Sequence, residues 1–207
     1  MAHVQQFRFI SFIKQLLPYY FEGKKVLEIG SLNINGSVRT FFESSEYIGV
    51  DVAAGKDVDI ISNGEDFSDK ANSYDVIISC ECMEHNPMFE KTWLNMIRLL
   101  KNDGLMIMTC ATYGRAQHGT SRNEPISSPL TISLGQDYYK NLTKYDFEFV
   151  KLSKFFIDFT FETDSSSHDL YFVGLGIDAN QKHLSDFDSG KKYMKDFYEK
   201  ISREGLN

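Results

Sequence analysis

The run Glu28-Ile29-Gly30-Ser31-Leu32-Asn33-Ile34-Asn35-Gly36-Ser37 follows a short apolar stretch, and its residue types suit a ligand-holding loop. Gly30 and Gly36 allow tight backbone turns that a side chain would block, and Asn35 tolerates a left-handed conformation almost as well. A helix starting near Ser37 would present free N–H groups and a partial positive charge to an anionic group such as a carboxylate. Glycine, asparagine and serine also favour any strand-to-helix turn, so the loop alone is a weak signal. Asp51 strengthens it. This residue ends a second apolar run about twenty residues downstream, where a carboxylate can accept hydrogen bonds from both hydroxyls of a ribose. Loop and carboxylate together predict a nucleoside site.

Such a site needs strands that end along one edge. Residues 25–29, 47–50, 58–61, 74–79 and 105–109 each read as a buried strand. Residues 4–21 carry Phe7, Ile10, Ile13 and Leu17 at helical spacing, with Pro18 ending the run. Residues 37–43 read as a helix start with Ser37 as N-cap. A further helix, carrying Trp93, Met96, Ile97, Leu99 and Leu100, follows the fourth strand and breaks at Asn102-Asp103-Gly104. This alternation predicts an α/β fold, doubly wound around a mostly parallel seven-stranded sheet. Residues 146–152 read as one more helix. Residues 156–162 and 170–177 then form two strands with no helix between them, a hairpin in which one strand runs antiparallel. The polar tail, 184–201, reads as a final helix. One domain over residues 1–207 is expected, with an N-terminal helix (1–22), a core (23–178) and a C-terminal tail or helix (179–207). The longest aperiodic stretch, 114–135, is expected to be a functional loop.

Composition narrows the partners. The 207 residues are 42% hydrophobic and 25% charged, as in ordinary globular domains. With 29 acidic and 22 basic residues the net charge is −7, which argues against a broad nucleic-acid surface and leans towards a small molecule or a glycan. Cys80, Cys82 and Cys110 are too few and too oddly placed for a disulfide framework, so free thiols in a reducing, cytoplasmic setting are expected. No apolar run approaches the length of a membrane span.

The motifs V-L-E-I-G at 26–30, Y-I-G-V-D at 47–51, Y-D-V-I-I-S-C-E-C-M-E-H at 74–85 and R-L-L-K-N-D-G-L-M-I-M-T at 98–109 resemble those of class I S-adenosylmethionine-dependent methyltransferases. The closing hairpin is similar to that family's antiparallel seventh strand, which dinucleotide-binding dehydrogenases lack. A bacterial, type-11-like subgroup resembles the chain in more detail. It shares E-I-G-S…N-G-S-V-R (28–39), H-G-T (118–120) and D-Y-Y-x-N-L-T (137–143). The resemblance implies S-adenosyl-L-methionine as cofactor and S-adenosyl-L-homocysteine as product. It implies that Glu28 and Gly30 shape the pocket for the methionine portion and sugar, with Ser31 and Asn35 in the same loop. It further implies that Asp51 holds the ribose, Asn63 and Gly64 read the adenine edge, and the Cys80 carbonyl meets the cofactor's amino group. The central glycine of the common loop is replaced by Leu32, a departure the subgroup shares.

Methyl transfer is an in-line displacement, so such a protein chiefly aligns the acceptor with the methyl group. An oxygen acceptor also needs a general base, for which His85 and His118 are the catalytic candidates. His85 could equally cap or pack against the helix it precedes. His118 lies in the long loop, where Arg115, Arg122, Tyr138 and Tyr139 complete a polar-aromatic, substrate-binding set suited to a sugar or other hydroxylated acceptor. His3, His168 and His183 are expected outside the site, in solvent. No carboxylate cluster shows metal-ligand spacing, so no metal is expected. Two other readings stand: a nicotinamide-dependent oxidoreductase, and a non-catalytic S-adenosylmethionine-binding protein. Against the first, the only Tyr-x-x-x-Lys pair, Tyr20 and Lys24, precedes the first strand.

Overall fold

The computed structural model describes residues 3–204. The five apolar runs become parallel strands: β1 (Lys25–Ile29), β2 (Glu46–Asp51), β3 (Ile60–Ile61), β4 (Tyr74–Cys80) and β5 (Leu100–Ala111). β6 (Phe156–Asp164) and β7 (Asp169–Gly176) form the expected hairpin, and the sheet order is β3-β2-β1-β4-β5-β7-β6. β7 runs antiparallel to both β5 and β6, so it is the one reversed strand. Register brings Ile29 beside Val50 and Ser79, and Cys80 beside Thr109, so the carboxyl ends of β1, β2, β4 and β5 share one edge. Asp169, which opens β7, pairs with Ala111 at that same edge.

Alternation along the strands builds a core on each face. In β4, Val76 and Ile78 face α1 (Val4–Leu16) and α4 (Gln181–Glu204), joining Phe9, Ile10, Ile13 and Phe187. Ile77 faces the opposite way, with α2 (Phe89–Leu99) and its buried Trp93, which meets Phe172 edge-on at 4.9 Å. Among the described residues, no helix is long and apolar enough to cross a membrane.

Several expected elements are shorter. Residues 37–43 give only a 3-10 turn, Val38–Phe41, although Ser37 does accept from the Arg39 N–H at 3.1 Å. Phe42 leaves the turn in extended conformation and stacks on Phe21 at 4.7 Å, which stops the helix before a second turn. The third strand shrinks from 58–61 to Ile60–Ile61 because the Asp59 carboxylate takes the Gly49 N–H at 2.7 Å. The 146–152 helix is replaced by two 3-10 turns, Lys144–Phe147 and Leu152–Lys154. Asp146 is held by the Thr143 N–H and hydroxyl, while Phe147 is drawn against Trp93 at 4.6 Å. Leu100 starts β5 rather than continuing α2. A short helix, α3 (Pro129–Ser133), lies in the long loop, and α4 is longer than the expected 184–201.

Candidate active site

At the end of β1 the chain turns through Gly30, whose φ of +83° suits glycine. A Cβ there would also lie 2.5 Å from the Cys82 Cβ. No α-helix follows. The loop is instead held by backbone and side-chain acceptors: Gly30 and Ser31 both donate to the Val50 carbonyl, and Leu32 N–H donates to Asp51 Oδ2 at 2.9 Å. Asn33 accepts from Gly36 N–H at 2.9 Å and donates to Asp57 at 2.6 Å. These bonds fix the loop path that a second glycine would otherwise allow. The second Asp51 oxygen accepts from Val52 N–H, and burial pushes this carboxyl up. Glu28 is buried beneath the loop and accepts from the Tyr47 hydroxyl at 2.9 Å. Burial, only partly offset by that bond and by Arg39, pushes Glu28 up to about 7.

Beyond β3, Asn63 donates to Asp66 at 2.9 Å. Gly64 is needed for contact rather than conformation, since a Cβ would lie 2.6 Å from Thr92 Cγ2 and 2.9 Å from Ile29 Cγ2. β4 ends at Cys80, and Glu81 follows in the left-handed region (φ +51°), strain of about 1–3 kcal/mol of a kind that collects at functional sites. The 3-10 turn Met83–His85 then buries Glu84 and His85.

A cavity of about 200 Å3 runs along this edge. Of the sequence-predicted residues it brings together Glu28, Gly30, Ser31, Asp51, Asn63, Gly64, Cys80 and His85. Asn35 is not among the lining residues, though Ile34 and Gly36 are. His118, Arg115, Arg122, Tyr138 and Tyr139 also lie outside the lining. His118 is buried one layer back, its ring 5.1 Å from His85 and nearly perpendicular to it. Tyr139 packs on both rings at 5.5 and 4.9 Å and donates to Asn141. Arg115 is tied to the Ser167 carbonyl and to Asp169, and Arg122 is exposed.

The long loop reaches the cavity through residues that the sequence did not single out: Ser127, Ser128, Thr131 and Gln136. Gln6, Glu81 and Cys82 were missed too. A polar Gln6 on the apolar face of α1 was a readable signal; the serines were not, because nothing periodic places them.

Two buried clusters of titratable groups border the cavity, reaching its wall through Glu81 and His85. His3 Nε2 lies 3.1 Å from Asp169 and 3.7 Å from Glu81, so His3 is not the solvated residue expected. Burial works against a charged His3, but the contacts with Asp169 and Glu81 outweigh it and raise the imidazole to about 10. Thr109 donates to Glu81 at 2.9 Å, and Arg115 pairs with Asp169 at 3.2 Å. His183 is buried against Tyr19 and Tyr20, again not in solvent, whereas His168 is exposed. The second group is Glu84, His85 and His118. Burial, then the charge of Glu81, pushes the Glu84 carboxyl up. Burial, then His118, pushes His85 down to about 3, and burial lowers His118 as well.

The methyltransferase-domain family matches this chain over residues 1–129. A comparison with curated proteins returns no match. Solved structures match at the level of the fold. Phosphoethanolamine N-methyltransferase 2 of Haemonchus contortus, in complex with S-adenosyl-L-methionine, is 16% identical with a TM-score of 0.55, over 82% of this chain and 52% of that one. The CurJ carbon methyltransferase is 19% identical with a TM-score of 0.51, over 77% and 50%. The chain thus spans about half the length of these two proteins. The 1,6-didemethyltoxoflavin-N1-methyltransferase of Burkholderia thailandensis, with its substrate and S-adenosylhomocysteine bound, is 12% identical with a TM-score of 0.54, over 86% and 92%.

Proposed function

The chain belongs to the methyltransferase-domain family, and from that premise we propose that it is an S-adenosyl-L-methionine-dependent methyltransferase acting on a hydroxyl of a small molecule or a glycan. The observation that carries the cofactor reading is the cavity itself, in which the Gly30 turn, Asp51 and the Asn63-Gly64 step follow one another along the carboxyl edge. Glu28, Ser31 and Cys80 flank the methionine portion, Asp51 takes the ribose hydroxyls, and Asn63 with Gly64 borders the adenine. Asn35 belongs to the loop around this pocket rather than to its wall.

Nitrogen and carbon acceptors both occur among the structural neighbours, so the hydroxyl reading rests on the site alone. It is supported by Ser127, Ser128, Thr131 and Gln136, which offer neutral hydrogen bonds, and by His85 with His118 behind it. Arg115 is committed to Asp169, so acceptor recognition falls to these neutral groups rather than to Arg115, Arg122 or Tyr138. The antiparallel β7 between β5 and β6 disfavours a nicotinamide-dependent oxidoreductase, whose doubly wound sheet has strand order 3-2-1-4-5-6. Buried imidazole nitrogens at the cavity wall disfavour a mere cofactor binder. Three free thiols fit a reducing compartment such as the cytoplasm.

Calorimetry with S-adenosylhomocysteine, S-adenosylmethionine, NAD and NADP tests this reading. Asp51→Ala should weaken binding of the first two by about 1.5–3 kcal/mol, the scale of a hydrogen bond to a charged group. Unchanged affinity in a folded variant removes the ribose assignment, and preference for NAD removes the methyltransferase.

A further inference from the structure

We propose that Glu84, His85 and His118 form a site for one divalent transition-metal cation, whose open face meets the acceptor end of the cofactor cavity. Each of the three residues offers one ligand atom, and these atoms lie within 4.8 Å of one another. Ligands held at about 2.1 Å from a shared ion stand about 3–4 Å apart, so a small closure of the side chains completes the shell.

The convergence comes with unmet hydrogen-bonding capacity. Among the described residues, Glu84 Oε2 and both ring nitrogens of His85 are buried without a hydrogen-bond partner. Glu84 is 0% exposed and His85 5%. Buried polar atoms are almost always bonded, and Glu84 and His85 each bring one ligand atom to this convergence, so the cluster calls for an occupant. The surroundings already orient the ligands. The His118 Nδ1 lies 3.1 Å from the Ala116 carbonyl and donates to it in the tautomer that leaves Nε2 free to bind. Glu84 Oε1 accepts from the Ala111 N–H. Gly119 backs the His85 ring so closely that a Cβ there would lie 2.5 Å from Cε1, which blocks the ring from swinging away.

Two imidazoles and one carboxylate select the class of ion. Calcium and magnesium prefer all-oxygen shells, whereas manganese, iron, cobalt and zinc accept this mixture. Three protein ligands leave positions open, and His85, which lines the cavity, turns them towards Ser127 and Ser128. The other buried convergence, His3 with Glu81 and Asp169, leaves His3 Nε2 and Glu81 Oε2 without hydrogen bonds among the described residues too, but His3 and Arg115 supply the positive charge that its carboxylates require. It needs no ion.

Cation binding stands independently of the methyl-transfer reading; the ion's role rests on it. An acceptor hydroxyl bound to the ion releases its proton to water. Its oxygen then bonds to the methyl carbon as the carbon–sulfur bond of the sulfonium breaks, leaving the electron pair on sulfur. The two histidines then serve as ligands rather than as proton acceptors.

The test is titration of metal-stripped protein with Co2+, followed by visible absorption, beside calorimetry with S-adenosylhomocysteine. One Co2+ per chain is expected, with ligand-field bands displaced by Zn2+. His118→Gln and Glu84→Gln should each weaken binding at least about tenfold, and His183→Gln should leave it unchanged. Variants that bind as tightly as wild type, or a wild-type spectrum like that of free Co2+, overturn the site. Should a variant fail to fold, the wild-type spectrum and its displacement by Zn2+ decide. Co2+ binding without S-adenosylhomocysteine binding keeps the metal site and removes the methyltransferase; the converse removes only the metal site.

Discussion

The chain leaves β4 with two buried glutamates three positions apart, and their surroundings are opposite. Glu81 meets His3, accepts from Thr109 and shares its cluster with Asp169 and Arg115. Glu84 has one backbone donor, an oxygen with no partner, and two neutral imidazoles beside it. Burying a charge is costly unless it is paired, and breaking a buried pair costs more than never having built it. The first cluster is therefore compensated in charge as folded, although His3 Nε2 and Glu81 Oε2 make no hydrogen bond among the described residues, and it ties α1, β4, β7 and the start of the long loop together at one point. The second has, among the described residues, no positive charge beside its carboxyl group, and its His85 lines the cavity. On the proposed reading, stability and chemistry fall to separate groups on the same segment.

The largest effect expected from this division is on turnover. His85→Gln should lower methyl transfer by about 10²–10⁴-fold, whether the ring takes a proton or holds an ion, while thermal stability stays near that of wild type. Steady-state kinetics beside a melting curve checks it. A loss of only a few-fold would make His85 a packing residue and erase the contrast.

Next in size is the reverse experiment. Asp169→Asn leaves His3 and Arg115 facing a neutral group, and breaking a buried pair costs about 3–5 kcal/mol. The His3 and Arg115 side chains are 20% and 27% exposed, so solvent recovers part of this and about 2–3 kcal/mol is expected in denaturant melts. Affinity for S-adenosylhomocysteine should be kept. Wild-type stability in Asp169→Asn would mean that the first cluster is as dispensable to the fold as the second.

How legible these groups were in the sequence depended on how local their causes are. Strand periodicity placed β1, β2, β4 and the β6–β7 hairpin, because alternation and apolar runs reflect burial directly. The shortened elements failed for local competing reasons: the carboxylates of Asp59 and Asp146 bond backbone groups that a strand or helix would have used. Along the strand-end wall of the cavity, Gly30, Asp51 and Gly64 were readable since turn, strand end and close packing each demand a residue type. The wall supplied by the long loop was harder. Ser127, Ser128, Thr131 and Gln136 reach the cavity only through the path of a loop with no period, and Arg115 looked like a ligand group until Asp169 claimed it across 54 positions. His3 looked solvated for the same reason, since its partners arrive from β4 and β7.

The smallest expected effect uses a third buried carboxylate that falls between the two. Glu28 is 4% exposed and has one neutral donor, the Tyr47 hydroxyl at 2.9 Å. Burial raises it from 4.5 to about 7, so the folded chain keeps a proton there that the unfolded chain has already lost. Between about pH 4.5 and about pH 7 the folded state thus binds more protons, and stability falls as pH rises. The contribution is fully present below the lower value and gone above the upper one. A glutamine in place of Glu28 would not ionise, and its carboxamide oxygen can still accept from Tyr47. Glu28→Gln should therefore match wild type near pH 4.5 and exceed it by about 1–3 kcal/mol near pH 8, read from denaturant melts at both. An equal gain at both pH values would show that packing, not charge, sets the difference. No gain at either would show that Glu28 ionises without cost, through water in the cavity, and would place it with the satisfied cluster rather than between the two.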